Sequence, residues 1–124
     1  MDRIFVALGA LSACLAVIAG AFGSHALKRT MSADMLAVFE IAVRYQMYHA
    51  LALFGVGLAF WKFPEKLMNV AGWCFVAGTV LFSGSLYQLS LTGSKWVGIV
   101  TPIGGGIWMI GWLCIAVAAL KARR

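Results

Sequence analysis

Four long stretches of this sequence carry no charged side chain, and they constrain the fold more than any other feature. Neither Asp, Glu, Lys nor Arg occurs in residues 4–27, 45–61, 67–94 or 96–120. A helix of about 20 apolar residues is long enough to cross the roughly 30 Å hydrocarbon core of a bilayer. The pattern therefore predicts four membrane-spanning helices, near residues 4–23, 45–61, 67–91 and 102–120.

The composition excludes the other classes of protein. Hydrophobic residues make up 63% of the 124 residues and charged residues 11%, whereas soluble domains are about 45–50% apolar and about 25% charged. A soluble domain of this size exposes too much of its chain to hide so much apolar surface, and disordered chains are poor in apolar residues. We predict one all-α domain over residues 1–124, a polytopic membrane protein built as a four-transmembrane-helix bundle.

The second span is short, but the residues before it predict that its helix begins earlier, near residue 33. Ser32 is a residue type that caps helices, and Asp34 is favoured at the positive end of the helix dipole. The apolar residues between 35 and 43 share one face of such a helix. Residues 33–44 are therefore predicted to form a short amphipathic segment at the membrane interface before the second span.

The fourth span has a start signal of its own. Thr101 can cap a helix, and Pro102 fits the first helical position, where its missing N–H costs nothing. Gly104, Gly105 and Gly106 follow; they weaken the helix and allow another backbone to come close. A broken or re-entrant helix at residues 101–106 is therefore an open alternative, although a plain span is the simpler interpretation.

The net charge of +6 is explained by topology. The basic residues lie between the apolar stretches rather than among exposed aromatic residues, so nucleic-acid binding is not expected. If the spans alternate, six basic residues lie on the side of the two termini and four on the other side. Basic residues favour the cytoplasmic side, so we predict a multi-pass protein of the cell (inner) membrane with both termini in the cytoplasm.

The cysteines indicate no metal site and no disulfide. Cys14, Cys74 and Cys114 each lie within a span, and no C-x-x-C motif occurs. Residues 11–14 resemble a lipidation motif, but the apolar run continues to Phe22, as in an uncleaved membrane anchor. We therefore expect an uncleaved first helix, no metal and no cofactor.

Polar side chains near a membrane core are costly, which makes them candidates for function. The densest group opens the second span and consists of Glu40, Arg44, Tyr45, Gln46 and His49. Glu40 and Arg44 have the spacing and order of a helical ion pair, and the phenol of Tyr45 can reach the imidazole of His49. Such a group can bind an anion or relay a proton; alternatively, Arg44 extends to the interface and the tyrosine belongs to an aromatic belt.

The remaining candidates lie at the ends of the other spans. His25 ends the first span, and the others are Ser83, Ser85, Tyr87, Thr101, Gly104 and Gly105. The hydroxyl and small residues of the third span form a seam that is typical of close packing between membrane helices. No Ser–His–acid set can be assembled, so no catalytic residue is predicted.

Several segments resemble a known family. They cover residues 20–28, 45–53, 82–87 and 101–105, followed by Gly111 and Trp112, with the sequences GAFGSHALK, YQMYHALAL, FSGSLY and TPIGG. In order and spacing they resemble the YgdD/YwdK-like family, small inner-membrane proteins of unknown function. The resemblance extends over nearly the whole chain. It implies a four-span membrane protein and supplies no catalytic residues.

Three functions are compatible with these residues. The leading one is a structural or binding protein whose polar group engages a lipid headgroup, a membrane-protein partner or a second copy of the chain. The first alternative is a small oligomeric transporter or channel for a small solute or ion. The second is a membrane enzyme that acts on a lipid or quinone, with His49 or His25 as a base. The depth and convergence of the polar residues distinguish these functions.

Overall fold

In the computed structural model, which describes residues 1–122, the chain forms four long helices. They are α1 (Asp2–His25), α2 (Ala33–Ala59), α3 (Glu65–Thr92) and α4 (Val100–Lys121). Short 3₁₀ turns at Leu27–Arg29, Phe60–Lys62 and Lys95–Ile99 lie in the three connections. The fold is all-α, as the charge-free stretches predict.

The ends of α2 and α3 follow from local sequence signals. The predicted cap of α2 is confirmed, because the Ser32 hydroxyl accepts a hydrogen bond from the backbone N–H of Met35 at 3.2 Å. Helix α3 ends at Gly93, whose φ of 73° lies in the left-handed region that glycine adopts without strain.

The start of α4 differs from the prediction. The helix begins at Val100, two residues before the expected first position at Pro102, and no side chain caps it. The 3₁₀ turn Lys95–Ile99 runs directly into the helix, so the chain is already coiled when it reaches Thr101. Helix α4 is continuous through its three glycines, so the alternative of a broken or re-entrant helix is wrong.

Among residues 1–122, three helical segments are long and apolar enough to cross a membrane. They are Asp2–Arg29, Glu65–Thr92 and Lys95–Lys121, which contain α1, α3 and α4. Helix α2 is equally long but does not meet this criterion, because its first half carries charged and polar residues such as Glu40, Arg44 and Gln46. The described residues thus contain three membrane-capable helices.

The helices pack in chain order, and backbone contacts at glycines bring them close. Helix α1 packs on α2, α2 on α3, and α3 on α4. A Cβ atom added at Gly9 of α1 would lie 2.6 Å from the backbone nitrogen of Phe54, and one at Gly104 would lie 2.5 Å from that of Phe82. The contact at Gly104 confirms the prediction that the glycines of α4 allow another backbone to come close, and Gly9 makes a contact of the same kind.

The densest core lies at the end of the bundle that contains the N-terminus. Phe5, Phe60, Met68 and Ala118 come from different elements and are all buried there. At the same end the indole N–H of Trp61 donates to a carboxylate oxygen of Asp2 at 3.0 Å. The starts of α1 and α3 and the ends of α2 and α4 therefore share this end of the bundle, which we call the terminal end. The opposite end, with residues 26–32 and 93–99, is the far end.

Because the backbones of α1 and α2 are so close at Gly9, a methyl group added there should destabilise the protein far more than one added at an open position. Gly9→Ala must push α1 away from α2, and such overpacking typically costs about 1–3 kcal/mol. Gly55→Ala is the matched control: it lies on the exposed face of α2 with nothing within 4 Å of a Cβ, and it should gain up to about 1 kcal/mol of helix propensity. Unfolding of both variants in detergent micelles measures the difference. Equal stability of the two would contradict the packing.

Candidate functional site

A groove of about 740 Å³ runs along one side of the bundle. Helices α1 and α3 form its walls and α2 forms its floor. Its lining is almost entirely apolar and includes Leu8, Leu11, Leu15, Ile18, Phe22, Phe39, Leu53, Val76, Val80 and Leu91. The volume lies within the range of about 300–1,000 Å³ that is usual for small-molecule sites. The groove is therefore large enough for a ligand and suited to an apolar one.

The groove is closed toward the terminal end by Phe5. Its side chain is fully buried and fills the space between α1 and α3, against Gly72 and the indole ring of Trp73 at a centroid distance of 5.4 Å. Leu8 and Val76, about one turn further along α1 and α3, are the first wall residues of the groove. From Leu8 and Val76 the groove extends toward the far end, as far as Phe22 and Leu91.

A hydrogen-bond network centred on Gln46 joins the two walls to the floor. The amide nitrogen of Gln46 donates to the backbone oxygen of Ser12 at 2.9 Å, and the phenol of Tyr87 donates to the amide oxygen of Gln46 at 2.6 Å. The residue is only 7% exposed. Its donor and acceptor sides thus both find partners within the protein, one on α1 and one on α3, as a buried amide requires.

The second buried polar residue of the floor, His49, joins α2 to α4. Its Nδ1 donates to the backbone oxygen of Tyr45 at 2.8 Å, and its Nε2 accepts from the indole N–H of Trp112 at 3.0 Å. The ring also stacks on Trp108, with centroids 3.7 Å apart and planes 2° from parallel. Both ring nitrogens are engaged in a way that fits the neutral imidazole. No nitrogen is left over to take up a substrate proton or to bind a metal.

The hydroxyl residues of α3 make contacts between helices. Ser83 lines the groove but donates to the backbone oxygen of Ala42 on α2 at 2.8 Å, and it is 1% exposed. Ser85 bonds with the hydroxyl of Thr101 on α4. The expected capping role of Thr101 is therefore replaced by a contact with the neighbouring helix. Gly104 and Gly105 lie against Leu81 and Phe82 of α3.

Other members of the predicted polar group lie outside the groove. Glu40 and Arg44 are exposed on the face of α2 opposite Gln46, and no salt bridge joins them in the part of the chain that the structure describes. The prediction of an ion pair from their spacing is therefore wrong. Both side chains remain accessible to solvent, and an exposed ion pair contributes little to the free energy of folding. Tyr45 contacts His49 through its carbonyl oxygen rather than its phenol, and its ring stacks on Phe82.

The predicted residues therefore fall into three places. Gln46, His49, Ser83 and Tyr87 line the groove. Ser85, Thr101, Gly104 and Gly105 lie between α3 and α4. The exposed residues are His25, Glu40, Arg44 and Tyr45. Within residues 1–122 no three His, Cys, Asp or Glu side chains are placed to hold a metal ion.

Sequence reasoning missed three parts of the site. Ser12, the partner of Gln46, is the only strongly polar residue between Arg3 and Gly20 of α1, and this isolation was a usable signal. Trp108 and Trp112 are four residues apart, so they lie on one face of α4. Nothing in the sequence marks Phe5 among the other apolar residues of α1.

Comparison with known proteins supports the assignment of this chain as a membrane protein. The family described as "Protein of unknown function (DUF423)" matches residues 19–105. A UPF0382 membrane protein of Staphylococcus saprophyticus is 44% identical over 119 residues, which cover 96% of this chain and 98% of the relative. The UPF0382 membrane protein YwdK of Bacillus subtilis is 45% identical over 124 residues, with 96% and 98% covered. No solved structure matches the chain significantly.

The network at Gln46 predicts an energetic coupling between α2 and α3. Gln46→Leu and Tyr87→Phe should each destabilise the bundle, but the double variant should lose less than their sum. Hydrogen bonds between membrane helices are worth about 0.6 kcal/mol on average and up to about 1.7 kcal/mol, so the coupling should lie in this range. Denaturant unfolding in micelles of the four proteins measures it. Tyr48→Phe, on the exposed face of α2, is the control and should be additive with Gln46→Leu.

Proposed function

We propose a lipid-binding role for this chain, which belongs to the DUF423 family and is a relative of the UPF0382 membrane proteins. It is an integral membrane protein whose biochemical activity its relatives do not reveal. The proposal has two parts. All four helices cross the bilayer, and the lateral groove holds the hydrocarbon chain of a membrane amphiphile.

The direction of the chain supports α2 as the fourth span. Helices α1 and α3 start at the same end of the bundle, so α2 must return across the bilayer if both of them cross it. Its two central polar residues, Gln46 and His49, are hydrogen-bonded within the protein. Satisfied polar groups of this kind are tolerated inside a membrane protein. Low hydropathy is therefore no obstacle to a buried span.

The charged residues of α2 fit the same placement. Arg44 and Trp61 are 17 residues apart, about 26 Å along the chain at 1.5 Å per residue, close to the thickness of the hydrocarbon core. Glu40 and Arg44 then lie at the interface of the far end. Trp61 and Trp96 are 70% and 66% exposed at opposite ends of the bundle, where aromatic belts occur. Counted along the sequence, six basic residues belong to the side of the two termini and four to the other side, which supports a terminal end that faces the cytoplasm.

A single observation carries the binding function: the groove is apolar, open to the side of the bundle, and has polar groups that are already hydrogen-bonded within the protein. Gln46, Ser83 and His49 all have partners within the protein. A strongly polar ligand therefore finds few groups to bind inside the groove, whereas a hydrocarbon chain has no polar group to leave unsatisfied there. The engaged nitrogens of His49 also favour binding over acid–base catalysis. The role of the whole polar group as a binding cluster stays a prediction.

Blocking the groove tests this function. Gly84 lines the groove and has nothing within 4 Å of an added Cβ, so Gly84→Phe starts its side chain in open space and is designed to place a phenyl ring in the groove. We expect this variant to lose most of the groove labelling by a phosphatidylcholine that carries a photoactivatable diazirine on its acyl chain. Labelled peptides are identified by mass spectrometry after reconstitution in vesicles.

Gly55→Phe is the matched control, since Gly55 also has open space around it but lies on the outer face of α2. Its groove labelling should equal that of the wild type. Unlabelled groove residues in the wild type, or equal labelling of the wild type and Gly84→Phe, would rule out chain binding in the groove.

A further inference from the structure

The groove is closed at one end and has basic residues at the other. We propose that it holds an anionic glycerophospholipid taken from the leaflet at the far end, with its headgroup at Lys28 and Arg29 and one acyl chain directed toward Phe5. This inference rests on the proposed function and names the ligand class and its orientation.

The closed end fixes the direction of the chain. Phe5 is fully buried between α1 and α3, where its ring contacts Gly72, Trp73 and Phe60. A charged headgroup placed there would be desolvated among aromatic rings, at a large cost in free energy. The methyl end of an acyl chain meets no such cost. The chain terminus therefore belongs at Leu8 and Val76, next to Phe5.

The groove is longer than the hydrocarbon thickness of one leaflet. Its α1 wall extends from Leu8 to Phe22, 14 residues or about 21 Å at 1.5 Å per residue. One leaflet contributes about half of the roughly 30 Å hydrocarbon core. The groove thus accommodates a chain from the far-end interface to beyond the bilayer centre, and the block at Phe5 prevents access from the other leaflet.

The charges near the far end of the groove favour an anionic headgroup. Lys28 and Arg29 follow the α1 wall directly after its last turn, and Lys95 follows the α3 wall four residues after Leu91. All three are exposed, and no salt bridge engages them among residues 1–122. Asp34, at the start of α2, is the acidic residue nearest in sequence to this end. Glu40 and Arg44 lie on the opposite face of α2, and their opposite charges add up to zero.

Position-specific photolabelling tests the orientation. Two phosphatidylglycerols are reconstituted with the wild-type protein, one with a diazirine at the chain terminus and one with a diazirine next to the ester. We expect the terminal diazirine to label Leu8, Leu53 and Val76, and the ester-proximal one to label Phe22 and Leu91. The reverse pattern, or a pattern independent of the diazirine position, overturns the orientation but leaves chain binding intact. Absence of groove labelling by any lipid contradicts both this inference and the proposed function, as do crosslinks of the groove to a second copy of the chain.

A charge exchange tests the headgroup. Each basic residue near an anionic membrane surface contributes about 1 kcal/mol, so two of them correspond to about a 30-fold preference. Unlabelled phosphatidylglycerol and phosphatidylcholine are compared as competitors of groove labelling. The double variant Lys28→Gln and Arg29→Gln should lower the preference for phosphatidylglycerol by about 30-fold.

The matched control makes the same change in charge at the other end of the bundle. Lys62→Gln with Lys66→Gln should leave the preference for phosphatidylglycerol unchanged. If both double variants lowered the preference equally, the net charge of the protein would explain the effect. That result would overturn the assignment of the headgroup to Lys28 and Arg29. Equal competition by the two lipids in the wild type would overturn the anionic class.

Discussion

Inside a bilayer a buried polar side chain must find its hydrogen-bond partners within the protein, and α2 is the helix on which this requirement acts most strongly. Its two buried polar residues have partners on the other three helices: Gln46 binds Ser12 of α1 and Tyr87 of α3, and His49 binds Trp112 of α4. These bonds connect α2 to each of the other three helices. In the proposed four-span arrangement they satisfy the polar groups that lower the hydropathy of α2.

The groove is a consequence of this arrangement. Helices α1 and α3 both pack on α2, and they approach each other at Phe5, where the aromatic ring fills the space between them. Toward the far end, Gln46 bonds to Ser12 of α1 and to Tyr87 of α3, and all three residues line the groove. Gly84, which also lines it, adds no side chain to the groove.

The sequence determines the helices well and the contacts between them poorly. Charge-free stretches and the Ser32 cap are local signals, because they depend on residues within one or two turns, and both agree with the structure. The ion pair of Glu40 and Arg44 was also inferred locally. The prediction fails because the spacing only places the two residues near each other. At an exposed site, water competes for both charged groups, and the ion pair need not form. Thr101 fails as a cap for a related reason, since its hydroxyl binds Ser85 of α3.

The site itself was predictable only in part. Gln46, His49 and Tyr87 were identified because polar residues in apolar spans are rare and costly. The sequence does not show that these residues are buried while Arg44 is exposed. That difference depends on which face of α2 packs against the other helices. The groove has no local signal, because its lining comes from three helices that are distant in the sequence, and Phe5 at its end is one phenylalanine among many apolar residues.

Native mass spectrometry tests the central claim most directly, because it counts lipids that survive removal of the bulk bilayer. Wild-type protein released from mild detergent micelles should carry one phospholipid per chain, with the mass of an anionic species. A chain that remains folded but carries no lipid, or only neutral lipids in the proportions of the membrane, would contradict a groove built to hold an anionic phospholipid.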